Sequence, residues 1–481
     1  MENFKIIKLL SIFGLLIFMS SCGIEEVENP NVTTDRFTNS PQAASTWING
    51  AKSEMASSLG IIVELTEITS DNYFNNRTLS SKVFDIPQIV NSDLDVDRLN
   101  TAIQNIRRTA EFGLETVLPS DPSSTTEDQA ELIFFKGVAH LFSGEYFTGI
   151  PGENEGPILQ TNDHFSRAVS AFEDVIELTN QNELINAAKL ALARIAWHLN
   201  DIPTLRSNAL EVIESDPLFN YQVEFDGENG PNNAFQFFIF DSSNDEFAPL
   251  PRLDFLDPKY FSEDGAGIDQ KPISLFKSEE AYLMLAEAEL VAGNISTAKS
   301  FLADLLENVI VNRPVFDVDD AAETRSGGNR DDYPLLDTFS IKFSPDEPAI
   351  DGLVLDRQSG PVEVPGVSGT SVTVQQIENA TSIEELLEII LLMRQEIFIS
   401  EGRRVVDLGI KYPVSDDEIK SNENIDINDP AGKAQIPEFI PLDKKMDDFI
   451  NDEENQVITI LVNMNKVLIQ NRTSEFILPL W

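Results

Sequence analysis

Apolar residues recur at helical spacing in one segment after another, and this periodicity decides the fold class. Leu99, Ile103, Ile106, Ala110, Leu114 and Val117 fall on one helix face. Phe134, Val138 and Leu141 mark another, for which Thr126 and Gln129 read as a capping box. Ser40-Pro41, a cap followed by a proline at the first helical position, opens a helix to about Leu59. Further helices are expected over 163–180, 183–200, 203–215, 278–292, 295–311 and 383–400. Ser278 reads as a cap, and Ser382 with Glu385 as a box.

Small residues repeat within these helix pairs. Ala288, Gly293, Ala298 and Leu302 follow the spacing of a tetratricopeptide unit, in which Ala and Gly let antiparallel helices approach. Ala168 with Phe172, and Ala209 with Ile213, repeat the last step. The expected fold is mainly α, a tetratricopeptide-like array of helical hairpins with an irregular, loop-rich capping region. Two insertions interrupt it, at about 219–277 and 312–380, where Phe, Gly, Pro and Asn replace helical signals. Leu353–Leu355 and Ser371–Val374 suit short strands.

Charge removes whole classes of function. The chain carries 34 basic and 81 acidic residues, a net −47, which repels phosphate backbones and anionic lipid surfaces alike. One cysteine among 481 residues permits no internal disulfide, and three histidines leave little for a metal site. That cysteine follows an apolar run, Leu9–Met19, preceded by Lys5 and Lys8 and closed by Ser20-Ser21. The run is too short for a permanent span and looks like a leader cleaved before a lipid-bearing cysteine. Residues 1–21 are thus expected to be removed, Cys22 to be lipidated, 22–38 to form a tether and 39–481 a single domain.

Two blocks carry a family resemblance. The stretch Lys271–Ala288, KPISLFKSEEAYLMLAEA, and the stretch Arg394–Leu408, RQEIFISEGRRVVDL, resemble the signature segments of SusD/RagB proteins. Ser70-Asp71-Asn72 and the run ending at Gly149-Ile150-Pro151 are similar to two further family segments. The resemblance implies a surface nutrient-binding lipoprotein of the outer membrane. It also implies a glycan ligand handed to a TonB-dependent, SusC-like transporter, with no catalysis and no cofactor. In the second block, Arg403 and Arg404 are expected to pair with Glu396 and Glu401, and Gly402 to take the left-handed turn ending the helix.

No nucleophile elbow, phosphate loop, dinucleotide fingerprint or paired-histidine zinc motif occurs. Asp93, Asp95 and Asp97 have calcium-loop spacing, but Arg98 replaces the needed glycine and helix capping explains them better. His198, beside Trp197, reads as a packing residue. Sugars are captured by flat aromatic rings backed by hydrogen-bonding groups. Asp71, Asn72, Tyr73, Phe74, Asn76 and Arg77 form the best such loop, unless Tyr73 and Phe74 simply pack beneath it. Arg252 and Tyr260 in the first insertion, and Arg330 and Tyr333 in the second, are further candidates. Phe235, Phe237, Phe238 and Phe240 read as core or a packed hairpin. Trp47 and Trp197 fall on helices and Trp481 is last, which keeps a peptide or another small nutrient open beside oligosaccharide. A helical assembly scaffold without a ligand remains a third reading.

Overall fold

Helices that bury every face alternate with helices that bury one stripe, and this alternation builds the molecule in two layers. The computed structural model describes residues 37–38, 40–76, 82–241, 246–262, 268–321, 330–442 and 446–481. Among the described residues, the helices of ten residues or more begin with eight in order: α1 Ala43–Ile68, α2 Leu94–Phe112, α3 Thr126–Tyr146, α4 Thr161–Leu178, α5 Asn182–His198, α6 Ile202–Ser215, α7 Ser278–Val291 and α8 Ile295–Asp304. Each packs against the next, so successive hairpins stack into an array. The fold is mainly α and tetratricopeptide-like. On α4 the stripe is Phe165, Ala168, Phe172 and Val175, and on α6 it is Leu205, Ala209 and Val212. By contrast α7 is buried from Ser278 to Leu290, Glu279, Glu280 and Glu287 included. No helix among the described residues is long and apolar enough to cross a membrane.

Local chemistry sets the helix ends, with several differences from the sequence expectations. The box that opens α3 is Thr125 with Asp128, one residue before the expected pair. Ser382 and Glu385 do box the ninth helix, α9 Ile383–Ile397. Ser278 does not cap: its hydroxyl donates to the Pro217 carbonyl, 2.7 Å away, and ties α7 to the preceding turn. The first helix starts at Ala43 after a left-handed Gln42, and Ser40 closes onto the Phe37 carbonyl instead. Phe37 already packs on Trp47, at 6.0 Å between rings, so the packed chain begins before residue 39. Asp93 caps α2 through the Asp95 amide, as the capping reading has it.

Strands are short and lie mostly in the insertions. β1 Tyr73–Asn75 pairs antiparallel with β3 Phe247–Pro249, and β2 Asn220–Val223 with β4 Ile273–Lys277. Val315–Val318 pairs with Val362–Pro365, and a four-stranded sheet joins Ser340–Lys342, Ala349–Ile350, Phe449–Asp452 and Val457–Ile460. Leu353–Leu355 and Ser371–Val374 are not strands; Val374–Asn379 is a short helix instead. Phe235 is buried and Phe238 stacks on Phe247, but on a helical turn rather than a hairpin, and Phe237 stays 44% exposed. One core runs from Ala44 to Leu480, and a second patch lies among α7, α8 and α9.

Candidate functional site

The loop and insertion residues singled out in the sequence converge, but inside the molecule. Pairing of β1 with β3 closes the first insertion over the loop, leaving Asp71, Asn72, Tyr73 and Asn76 at most 1% exposed and Phe74 6%. Asp71 accepts from Arg404 at 2.6 and 3.0 Å, from Gln395 at 3.0 Å and from Arg252 at 3.4 Å. Tyr73 meets the Ser400 hydroxyl at 2.7 Å, and Tyr260 donates to the Ser400 carbonyl at 3.0 Å. Phe74 packs against Tyr333 and Phe449, and Tyr333 donates to Asp254 at 3.2 Å. Arg330 lies 3.5 Å from the Phe449 ring centre and pairs with Asp332 and Asp448. Its amide donates to the Asn76 side chain, joining the second insertion to the loop. A stacking platform needs exposed ring faces, so Tyr73 and Phe74 take the packing alternative, and Tyr260 and Tyr333 are buried as well. Cys22 and Arg77 lie outside the described residues.

The signature blocks form the ionic frame around this loop. Carboxylates on the fully buried α7 each need a partner, because an unpaired buried charge is costly. Glu280 receives Arg194 at 2.7 Å and Arg403 at 2.7 Å, and Glu279 receives Arg313 at 2.7 Å. Burial alone would raise the Glu280 carboxyl; the two guanidinium groups outweigh it and hold it at about 2. Arg403 and Arg404 therefore pair with Glu280 and Asp71, not with Glu396 and Glu401 as expected. Glu396 instead accepts from Thr370 and Ser371, and Glu401 lies 2.7 Å from Lys277. Gly402 takes the expected left-handed φ, +74°, but does not end the helix, which stops at Ile397; it presents its amide to Glu67 at 2.7 Å. Burial pushes Glu67 up to about 7 against the hydrogen bonds of Asn72 and Gly402. His198 stacks on Phe165 and meets Glu145 at 2.9 Å, a packed residue rather than a base facing solvent.

An open cleft lies elsewhere, where α1, the first turns of α3 and α5, and β2 meet. Its volume is about 520 Å³. One wall is apolar: Tyr221 and Val223 of β2, whose register shifts between Tyr221 and Gln222, Phe225 beyond it, and Phe135 of α3. The other walls are acidic, formed by Glu127 and Glu131 of α3, Glu183 of α5, and Glu224 with Asp226 beyond the strand. Lys52 of α1 pairs with Glu131 at 2.8 Å. Asn229, through its amide and side chain, folds the loop onto Asp226 and holds that carboxyl below its ordinary value. A flat apolar wall facing hydrogen-bond acceptors suits a ligand with one apolar face and many hydroxyl or amine donors. These residues were missed in the sequence, although Tyr221-Gln222-Val223-Glu224-Phe225 carries strict strand alternation within an insertion read as loop.

No protein-family model and no curated protein matches this chain. Solved structures do. A SusD-like protein from Bacteroides fragilis superposes with TM-score 0.53 at 12% identity, covering 82% of this chain and 97% of that one. A SusD superfamily protein from Bacteroides thetaiotaomicron gives 0.52 at 12%, covering 82% and 99%. The chain therefore has the SusD-like fold, in agreement with the resemblance of its two signature blocks.

Proposed function

We propose that this protein is a non-enzymatic nutrient-binding lipoprotein that captures oligosaccharide and passes it to a TonB-dependent, SusC-like transporter in the outer membrane. The leader 1–21 is removed, Cys22 carries the lipid, and the tether lets the single folded domain sit outward over its transporter. One observation supports capture most: the open cleft pairs an apolar strip of Tyr221, Val223 and Phe225 with carboxylates that accept from sugar hydroxyls. In this reading Asp71, Asn72, Tyr73, Phe74, Asn76, Arg252, Tyr260 and Tyr333 belong to the buried frame of the fold and do not touch ligand. Arg330 holds the second insertion to that frame. The SusD-like fold supports the same role. Lipid and transporter rest on the sequence reading alone.

Calorimetric titration of the mature chain against panels of glycans and peptides tests capture. Binding of a glycan class, weakened about tenfold in Phe225→Ala as the loss of one stacked ring gives, is expected. Binding to peptides alone, or to nothing in either panel, contradicts it. Replacing Cys22 by Ala is expected to release the protein from the membrane fraction, and continued retention there rules out the anchor.

A further inference from the structure

Glu183 lines more than the cleft. That residue also lines a second open hollow, of about 410 Å³, bounded by Asn186, Asp216 and Asn220. The two hollows flank the first turn of α5 and share β2: Tyr221 and Val223 wall the first, Asn220 the second. Charge along this path is one-sided. Six carboxylates line it, those of Glu127, Glu131, Glu183, Glu224, Asp226 and Asp216. The one basic side chain among the lining residues, Lys52, is already paired with Glu131. Glu183 and Glu224 are exposed and take no hydrogen-bond or ion-pair partner among the described residues. Burial first, and then the charges of Glu131 and Glu183, raise the Tyr221 phenol above its ordinary pKa. Both carboxylates thus bear on the aromatic wall.

Building on the capture reading, we infer that the ligand is a linear oligosaccharide of protonated amino sugars, lying from the first hollow past Glu183 into the second. A neutral sugar would strip water from several carboxylates and leave their mutual repulsion uncompensated. A uronic or sulfated chain would meet a surface of its own sign. Ammonium groups at regular intervals supply charge-assisted hydrogen bonds, roughly twice as strong as neutral ones. The apolar ring faces still stack on Tyr221 and Phe225. Two acidic hollows joined at one residue call for a chain rather than a single sugar.

The test is titration of the mature chain with β-linked glucosamine oligomers of graded length and their N-acetylated counterparts, at mildly acid pH. At low salt the amine forms are expected to bind about tenfold more tightly than the acetylated forms, the gain of two exposed ion pairs. Affinity should rise with length, and raised salt should remove the preference. The double variant Glu183→Gln/Glu224→Gln should lose the preference, binding amine and acetylated forms with equal affinity. Equal or tighter binding of the acetylated forms, or a preference that survives the double variant, overturns this inference and leaves glycan capture standing. Failure to bind any glycan at all overturns capture itself and this inference with it.

Discussion

Asp71 lies between two guanidinium groups, Arg404 at 2.6 Å and Arg252 at 3.4 Å, in a place where all three side chains are 1% exposed. Burial would raise its carboxyl, and the arginines instead hold it below its ordinary value. Removing one member strands the others without water. Arg404→Met is expected to lower stability by about 3–5 kcal/mol, measured by denaturant unfolding, and a loss below about 1 kcal/mol would contradict the frame. Glu67 gives a pH test. Its carboxyl titrates at 4.5 when unperturbed and about 7 in the fold, so between these values the folded chain binds more protons than the unfolded one. The stability it contributes is therefore full below about 4.5 and lost as pH rises through 7. Glu67→Gln should flatten the fall in unfolding free energy across that window, and an identical slope in the variant would contradict the assignment. The charged residues of the signature blocks were legible as ion-pair formers. Their partners were not, because Arg404 meets a residue 333 positions away and chain spacing favoured its neighbours Glu396 and Glu401.

At the scale of elements, hairpin order and helix type followed from apolar periodicity, because helices such as α4 and α6 bury a stripe that the sequence displays. Ends were less legible. Gly293 sits in the α7–α8 turn with φ +78° and open space where a Cβ would stand, so it reverses the chain rather than letting helices touch. Ala288 and Ala298 are both fully buried, the first in the main core and the second in the patch among α7, α8 and α9. Gly402 is more demanding: beyond φ +74°, a Cβ would lie 2.8 Å from the Thr66 hydroxyl of α1. Gly402→Ala is expected to cost about 2 kcal/mol or more by thermal or denaturant unfolding, and a neutral change would contradict the tight docking of this turn. The strand β2 was hidden for a different reason. Its alternation spans only a few residues between Gly-, Pro- and Asn-rich stretches, and its pairing with β4 is a contact that period alone does not specify.

At the scale of the whole molecule, one hydrophobic core joins residues from Ala44 to Leu480, so the array and its insertions are expected to unfold together. Tryptophan fluorescence and far-ultraviolet circular dichroism should give coincident transitions, and two separated midpoints would contradict a single cooperative unit. The net −47 is consistent with a surface that repels anions, and in the cleft that negative charge stands beside an open apolar wall. The loop 71–76 drew notice in the sequence because it mixes rings with hydrogen-bonding groups, and the same mixture builds a buried frame once β3 covers it. Amide hydrogen exchange with and without a saturating glycan tells cleft from loop most directly. The cleft account predicts added protection at 183–186 and 221–226, with 71–76 and 330–333 unchanged. Protection confined to 71–76 and 330–333 would contradict it.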